Sequence, residues 1–121
     1  MRLDKLTKAA VAALEDIKGR DIVVLDVKKM SALFDWIVIA TADSSRQGRA
    51  LSNHLQEKMK ALGARVHSVE GESTGEWVLV DLGSIVVHIM QPAIRQYYNL
   101  EELWAQPARA RRRRAAGSAA R

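Results

Sequence analysis

The sequence contains no cysteine. Disulfides, thiolate zinc sites and thiol nucleophiles are thereby excluded, and a reducing compartment is the natural setting. Long apolar runs are missing too. The longest, residues 9–14, is far short of the roughly 20 residues that span a bilayer, and Glu15 and Asp16 follow it directly. Neither a membrane span nor a secretory-signal core is expected, so the chain reads as cytoplasmic. The glycine motifs of nucleotide binding are also lacking: there is no G-x-x-x-x-G-K-[ST] and no G-x-G-x-x-G. Finally, residues 108–121 carry no acid at all.

That last absence explains the overall charge. The chain has a formal net charge of +5. Six arginines, among them the run Arg111, Arg112, Arg113 and Arg114, lie in residues 108–121, leaving thirteen basic against fourteen acidic residues in 1–107. The body is therefore near neutral and does not itself carry a basic nucleic-acid footprint. With 121 residues there is room for one domain, here residues 1–107, followed by an Arg-rich tail, 108–121, with no apolar pattern to bury and expected to be disordered. Four consecutive arginines bind any polyanion by counterion release, or serve as a solvated solubility tail; sequence alone leaves both open.

Periodicity gives the elements. Leu3, Leu6, Ala10, Ala13, Leu14 and Ile17 recur at helical spacing, predicting a helix over 3–18 with Gly19 as its stop. Residues 22–27 and 36–42 are β-branched or apolar runs and read as strands. Asp43, Ser44 and Ser45 offer caps for a helix over about 46–62, with Leu51, Leu55, Met59 and Leu62 as its stripe. Residues 66–69 form a short strand, 70–75 a loop, and 77–82 and 85–90 a hairpin turning at Gly83 and Ser84. Pro92 opens a short helix and Asn99 caps a further turn. The order is αββαβββα, an α/β fold with a mixed sheet of about five strands.

Alternation along the hairpin divides its side chains. Val78, Val80, Leu82, Val87 and Ile89 share the side suited to the helices. Trp77, Leu79, Asp81, Val86, His88 and Met90 share the other; an apolar set of that size either marks a partner site or lies under a small further element with Trp77 as core, and the pattern leaves both open. Ser45, Asp81 and His88 supply the residue types of a hydrolytic triad, but no elbow positions the serine and a helix cap accounts for it. His54, His67 and His88 lack metal-ligand spacing, so no metal and no cofactor is expected. His88 is expected to be half-buried beside a carboxylate such as Asp81. Arg95 with Tyr97 and Tyr98 offers an RNA or protein contact, or Arg95 pairs with Glu101 or Glu102 and a tyrosine packs as core; the second is the expectation.

The order of short motifs resembles the Iojap, or ribosomal silencing factor, family across residues 6–104. The pieces are Lys18, Gly19, Arg20, Asp21 and Ile22; then Leu25, Asp26 and Val27; Asp35; Thr41; and Ser44, Ser45, Arg46 and Gln47. After these come Glu70, Gly71, Gly75, Trp77, Val80, Asp81, Leu82, Gly83, Val87 and His88, and last Arg95, Tyr98, Leu100, Glu101, Leu103 and Trp104. Ala42 stands where the family usually has glycine, and Ser84 where it usually has aspartate.

The resemblance implies a nucleotidyltransferase-like fold without the metal-binding acid pair, hence no catalysis. It implies binding to the large ribosomal subunit through its fourteenth ribosomal protein on the intersubunit face, which blocks subunit joining and represses translation under poor nutrition, and it implies a homodimer off the ribosome. The surface it carries over includes Trp77 and Asp81. Trp77 is then the apolar anchor, flanked by Leu79 and Met90, with Asp81 and His88 for registration and Glu70 and Glu72 steering toward a basic protein. The competing readings are a degenerate nucleotidyltransferase binding nucleotide near residues 44–46, and an RNA-binding adaptor acting through the tail.

Overall fold

The structure, a computed structural model, describes residues 4–105. The expectation of a disordered tail lies outside them. The elements are α1 (Lys5–Asp16), β1 (Arg20–Asp26), β2 (Trp36–Thr41), α2 (Ser45–Ala61), β3 (Ser68–Glu70), β4 (Trp77–Asp81), β5 (Ile85–Met90), α3 (Pro92–Tyr98) and α4 (Leu100–Ala105). The observed order is αββαβββαα: two short helices follow β5, separated at Asn99, whose φ of 47° breaks the helical path. The five strands make one sheet in the order β1-β2-β5-β4-β3. Only β2 and β5 run parallel; the other neighbours are antiparallel.

The two central strands are buried along their whole length, as their uninterrupted apolar sequences require. One face of the sheet, carrying Trp36, Val38, Ala40, Val78, Val80, Val87 and Ile89, packs against α1 and α2. Leu14, Leu51, Leu55 and Met59 are the fully buried helical counterparts, each stabilising the fold by about 2 kcal/mol through burial alone. Asp4 caps α1 by accepting from the Thr7 backbone and also accepts the Trp36 indole N–H at 3.2 Å, tying the start of α1 to β2.

On the opposite face, Val27, Ile37, Ile39 and Met90 form a second, smaller cluster beneath Met30, Phe34, Ile94, Leu100 and Trp104. The C-terminal helices and the β1–β2 connector thus roof the β1, β2 and upper β5 part of this face. They leave the β4 and β3 side open.

Four local expectations are corrected. Gly19 is not the left-handed stop of the first helix: α1 ends at Asp16 and Lys18 takes the left-handed conformation, φ 64°, while a Cβ at Gly19 would sit tightly, 3.0 Å from the Leu14 carbonyl oxygen. Ser44, not Ser45, caps α2, accepting from the Gln47 backbone at 3.0 Å. The third strand spans Ser68–Glu70 rather than 66–69, since Ala64 and Val66 turn into the helix-side core before the chain reaches its partner β4. Neither Tyr97 nor Tyr98 is core: both are exposed on α3.

Both edges of the sheet are irregular. β3 is three residues long. In β1 the pairing with β2 slips between Arg20 and Val23, where Asp21 has φ 48°.

Candidate functional site

The open part of the second face is built by the β4–β5 hairpin. Its register sets Trp77 opposite Met90, Leu79 opposite His88 and Asp81 opposite Val86. Alternation sends all six side chains to the face away from α1 and α2, as the sequence predicts. What differs is how far each reaches solvent.

Trp77 is half-buried. Its indole N–H donates to His88 Nδ1 at 3.0 Å, and its ring lies against Tyr98 with centroids 4.8 Å apart. The half-buried indole therefore packs against the Met90 cluster and has no free donor. Leu79 and Asp81 are half-buried beside it. Asp81 accepts the Gly83 backbone N–H at 2.8 Å and so stabilises the hairpin turn. The expected Asp81–His88 pair does not form. Trp77 and Asp81 flank Leu79, the residue opposite His88, on the same strand; the long indole spans the diagonal, whereas the short carboxylate finds the turn amide first.

A groove of about 510 Å³ runs across this surface. Leu33, Phe34, Leu79 and Val86 give it apolar walls, and Glu70 and Asp81 line it with carboxylates. Neither acid has a basic side chain within ion-pair distance among the described residues.

Three residues expected on this surface are elsewhere. His88 is buried rather than half-buried, with its Nδ1 occupied by the Trp77 indole. Met90 is fully buried beneath the C-terminal helices, which cover the β5 end that pattern alone leaves bare. Glu72 turns to the helix layer, accepting from Ser52 Oγ at 2.8 Å and Gln56 Nε2 at 3.2 Å, because the loop after β3 folds toward α2. Conversely, Leu33 and Phe34 line the groove although the sequence marks their segment only as a connector. Leu33, an apolar side chain 84% exposed, is the stronger omission. Arg111, Arg112, Arg113 and Arg114 lie outside the described residues.

The triad does not assemble. Ser45 Oγ accepts from Gln91 Nε2, His88 Nδ1 is taken by Trp77, and Asp81 is engaged at the turn. No group of three His, Asp or Glu suited to a metal occurs among the described residues. A second, polar cleft lies between Arg20, Thr41, Arg95 and Glu101. Its cations are already matched: Arg20 to Asp43, and Arg95 to Glu101 and the Thr41 hydroxyl at 2.9 and 2.7 Å. The expected Arg95–Glu101 pair thus holds α3 to α4.

Burial pushes His88 down to about pH 4 from its usual 6.5. The neutral ring is also the form that accepts the indole N–H. The folded pKa lies below the unfolded one, so this contribution is complete above pH 6.5 and is lost as pH falls toward 4. Urea unfolding at pH 5 should give a stability about 2 kcal/mol lower than at pH 7.5. His88→Phe should flatten that dependence; an unaltered slope in the variant would reassign it. Asp4, whose own burial is outweighed by hydrogen bonds from Thr7 and Trp36, is held below 3.8 and acts beneath this window.

Among known proteins, the family model described as "Ribosomal silencing factor during starvation" matches residues 1–120. A ribosomal silencing factor of Chromobacterium violaceum is 50% identical over 104 residues, covering 86% of this chain and 85% of that protein. A crystal structure of a Chromobacterium violaceum protein is similar at a TM-score of 0.83 and 48% identity, over 89% of this chain and 92% of that one. The Mus musculus protein named "Mitochondrial assembly of ribosomal large subunit protein 1" is 35% identical over 97 residues, 78% of this chain and 42% of the mouse protein.

Proposed function

Given that this chain belongs to the ribosomal silencing factor family, we propose that it binds the large ribosomal subunit through the open face around Trp77. The bound domain then keeps the small subunit away. The partner on the subunit is its fourteenth ribosomal protein, on the intersubunit face. The mouse relative's name, with its reference to the large subunit, supports that choice of subunit.

The observation that carries this reading is the groove itself. It joins apolar walls to two carboxylates without cationic partners among the described residues, on the strand that also carries the half-buried Trp77. Apolar surface supplies affinity, while Glu70 and Asp81 draw in and orient a basic protein. Silencing then requires only affinity and position, with no bond made or broken. The site of action is the cytoplasm, under nutrient limitation, and the free protein pairs as a homodimer.

Sucrose-gradient sedimentation tests the reading. Added protein should travel with isolated large subunits, and mixing in small subunits should yield fewer whole ribosomes. Migration with small subunits, or undiminished joining at saturating protein, would overturn it. Sedimentation equilibrium of the free protein checks the homodimer.

A further inference from the structure

We propose that residues 108–121 dock back onto the acidic groove of the same molecule, so that a basic partner must displace them to bind. This rests on the groove being the docking site, and it adds a competitor supplied by the chain itself.

Three features of the molecule support it. The first is where the described chain ends. Trp104, in the last turn of α4, packs edge-on against Phe34 with ring centroids 5.8 Å apart. Phe34 is a wall of the groove. The described chain therefore ends one residue after a side chain packed on the groove's rim. Arg111 is six residues beyond Ala105, a reach of roughly 20 Å in extended chain, and the full segment reaches roughly 50 Å.

The second feature is charge. Glu70 and Asp81 line the groove, and the exposed Asp35 adjoins Phe34 in sequence. None of the three has an ion-pair partner among the described residues. Of the residues lining the groove, only His67 can carry a positive charge. Residues 108–121 contribute six arginines and no acid.

The third feature is fit. Arginine buries its aliphatic stem on apolar surface while its guanidinium grips a carboxylate at two points. Leu33, Leu79 and Val86 provide that surface directly beside Glu70 and Asp81. The remaining residues of the segment are mostly alanine, which asks for little space. Each exposed pair is weak, but the tether holds the arginines at roughly millimolar effective concentration. Salt screens the contact.

The experiment uses the full chain and a variant with Arg111→Gln, Arg112→Gln, Arg113→Gln and Arg114→Gln. In amide NMR spectra of the free proteins at about 50 mM NaCl, Glu70, Leu79 and Asp81 should differ between the two. The difference should vanish near 500 mM, where the screening length falls to roughly 4 Å. It should also vanish when both carry Glu70→Gln and Asp81→Asn. Superimposable low-salt spectra would overturn the proposal. Purified large subunits should bind the variant about three- to tenfold more tightly at low salt, because the groove is no longer occupied. Weaker binding by the variant would mean that the arginines contact ribosomal RNA instead, which also overturns it. The NMR arm needs no ribosome, so failure of the ribosomal docking mode and failure of this contact are separable.

Discussion

Trp77→Ala is expected to weaken binding to purified large subunits about 30-fold or more while the sheet stays folded. Tryptophans at the centre of an interface commonly cost 2 kcal/mol or more on truncation. Here the loss is apolar area and not a hydrogen bond, because the indole N–H is already spent on His88. A control follows from that geometry. Trp77→Phe keeps a ring against Tyr98 and gives up only the internal donor, so affinity should fall less than about tenfold. Stability should drop in both variants by about 1–3 kcal/mol, since His88 Nδ1 is left buried without its donor. Circular dichroism checks the fold and surface plasmon resonance the affinity. Equal binding by wild type and Trp77→Ala would remove Trp77 from the docking surface.

The second large effect is expected at Gly71. Its φ is 88°, and a Cβ there would lie 2.0 Å from the Trp77 carbonyl oxygen. Alanine must therefore adopt a left-handed backbone, at about 1–2 kcal/mol, and must push aside main chain that no rotamer change can relieve, at about 1–3 kcal/mol more. Gly71→Ala should lose roughly 2–5 kcal/mol in urea unfolding, a large share of the 5–15 kcal/mol typical of a domain. The displaced backbone belongs to Trp77, so large-subunit affinity should fall together with stability. Ser73→Ala, in the same loop and exposed, should alter neither. A Gly71→Ala protein as stable as wild type would show that the β3–β4 loop can relax away from the strand.

Strand alternation made the two faces of the hairpin legible. Val78, Val80, Val87 and Ile89 face the long helices, and Trp77, Leu79 and Asp81 face away, because a period of two leaves no choice once one side is buried. Alternation is silent about what lies on top. Met90 shares a side with Trp77, yet α3 and α4 bury it, and nothing in strand periodicity reports a roof made by a distant segment. The same limit concealed Leu33 and Phe34, whose connector carries no periodic signal but folds across β5 to wall the groove. Polar partners were the hardest to read. His88 was expected beside Asp81, but the partner is Trp77, because reach along a diagonal depends on side-chain length. Glu72 looked available in a loop of acids and is bound by Ser52 and Gln56 of α2. Arg95 was easier: Glu101 lies six residues on, and the intervening Asn99 turn brings the two together.

The ragged sheet margins have a bearing on behaviour in a crowded cell. A straight, bare strand is a template on which further copies can stack into fibres. Here one margin is only Ser68–Glu70, ending in a charge, and the other is kinked at Asp21. Copies of this chain thus gain little opportunity to polymerise through their own backbone.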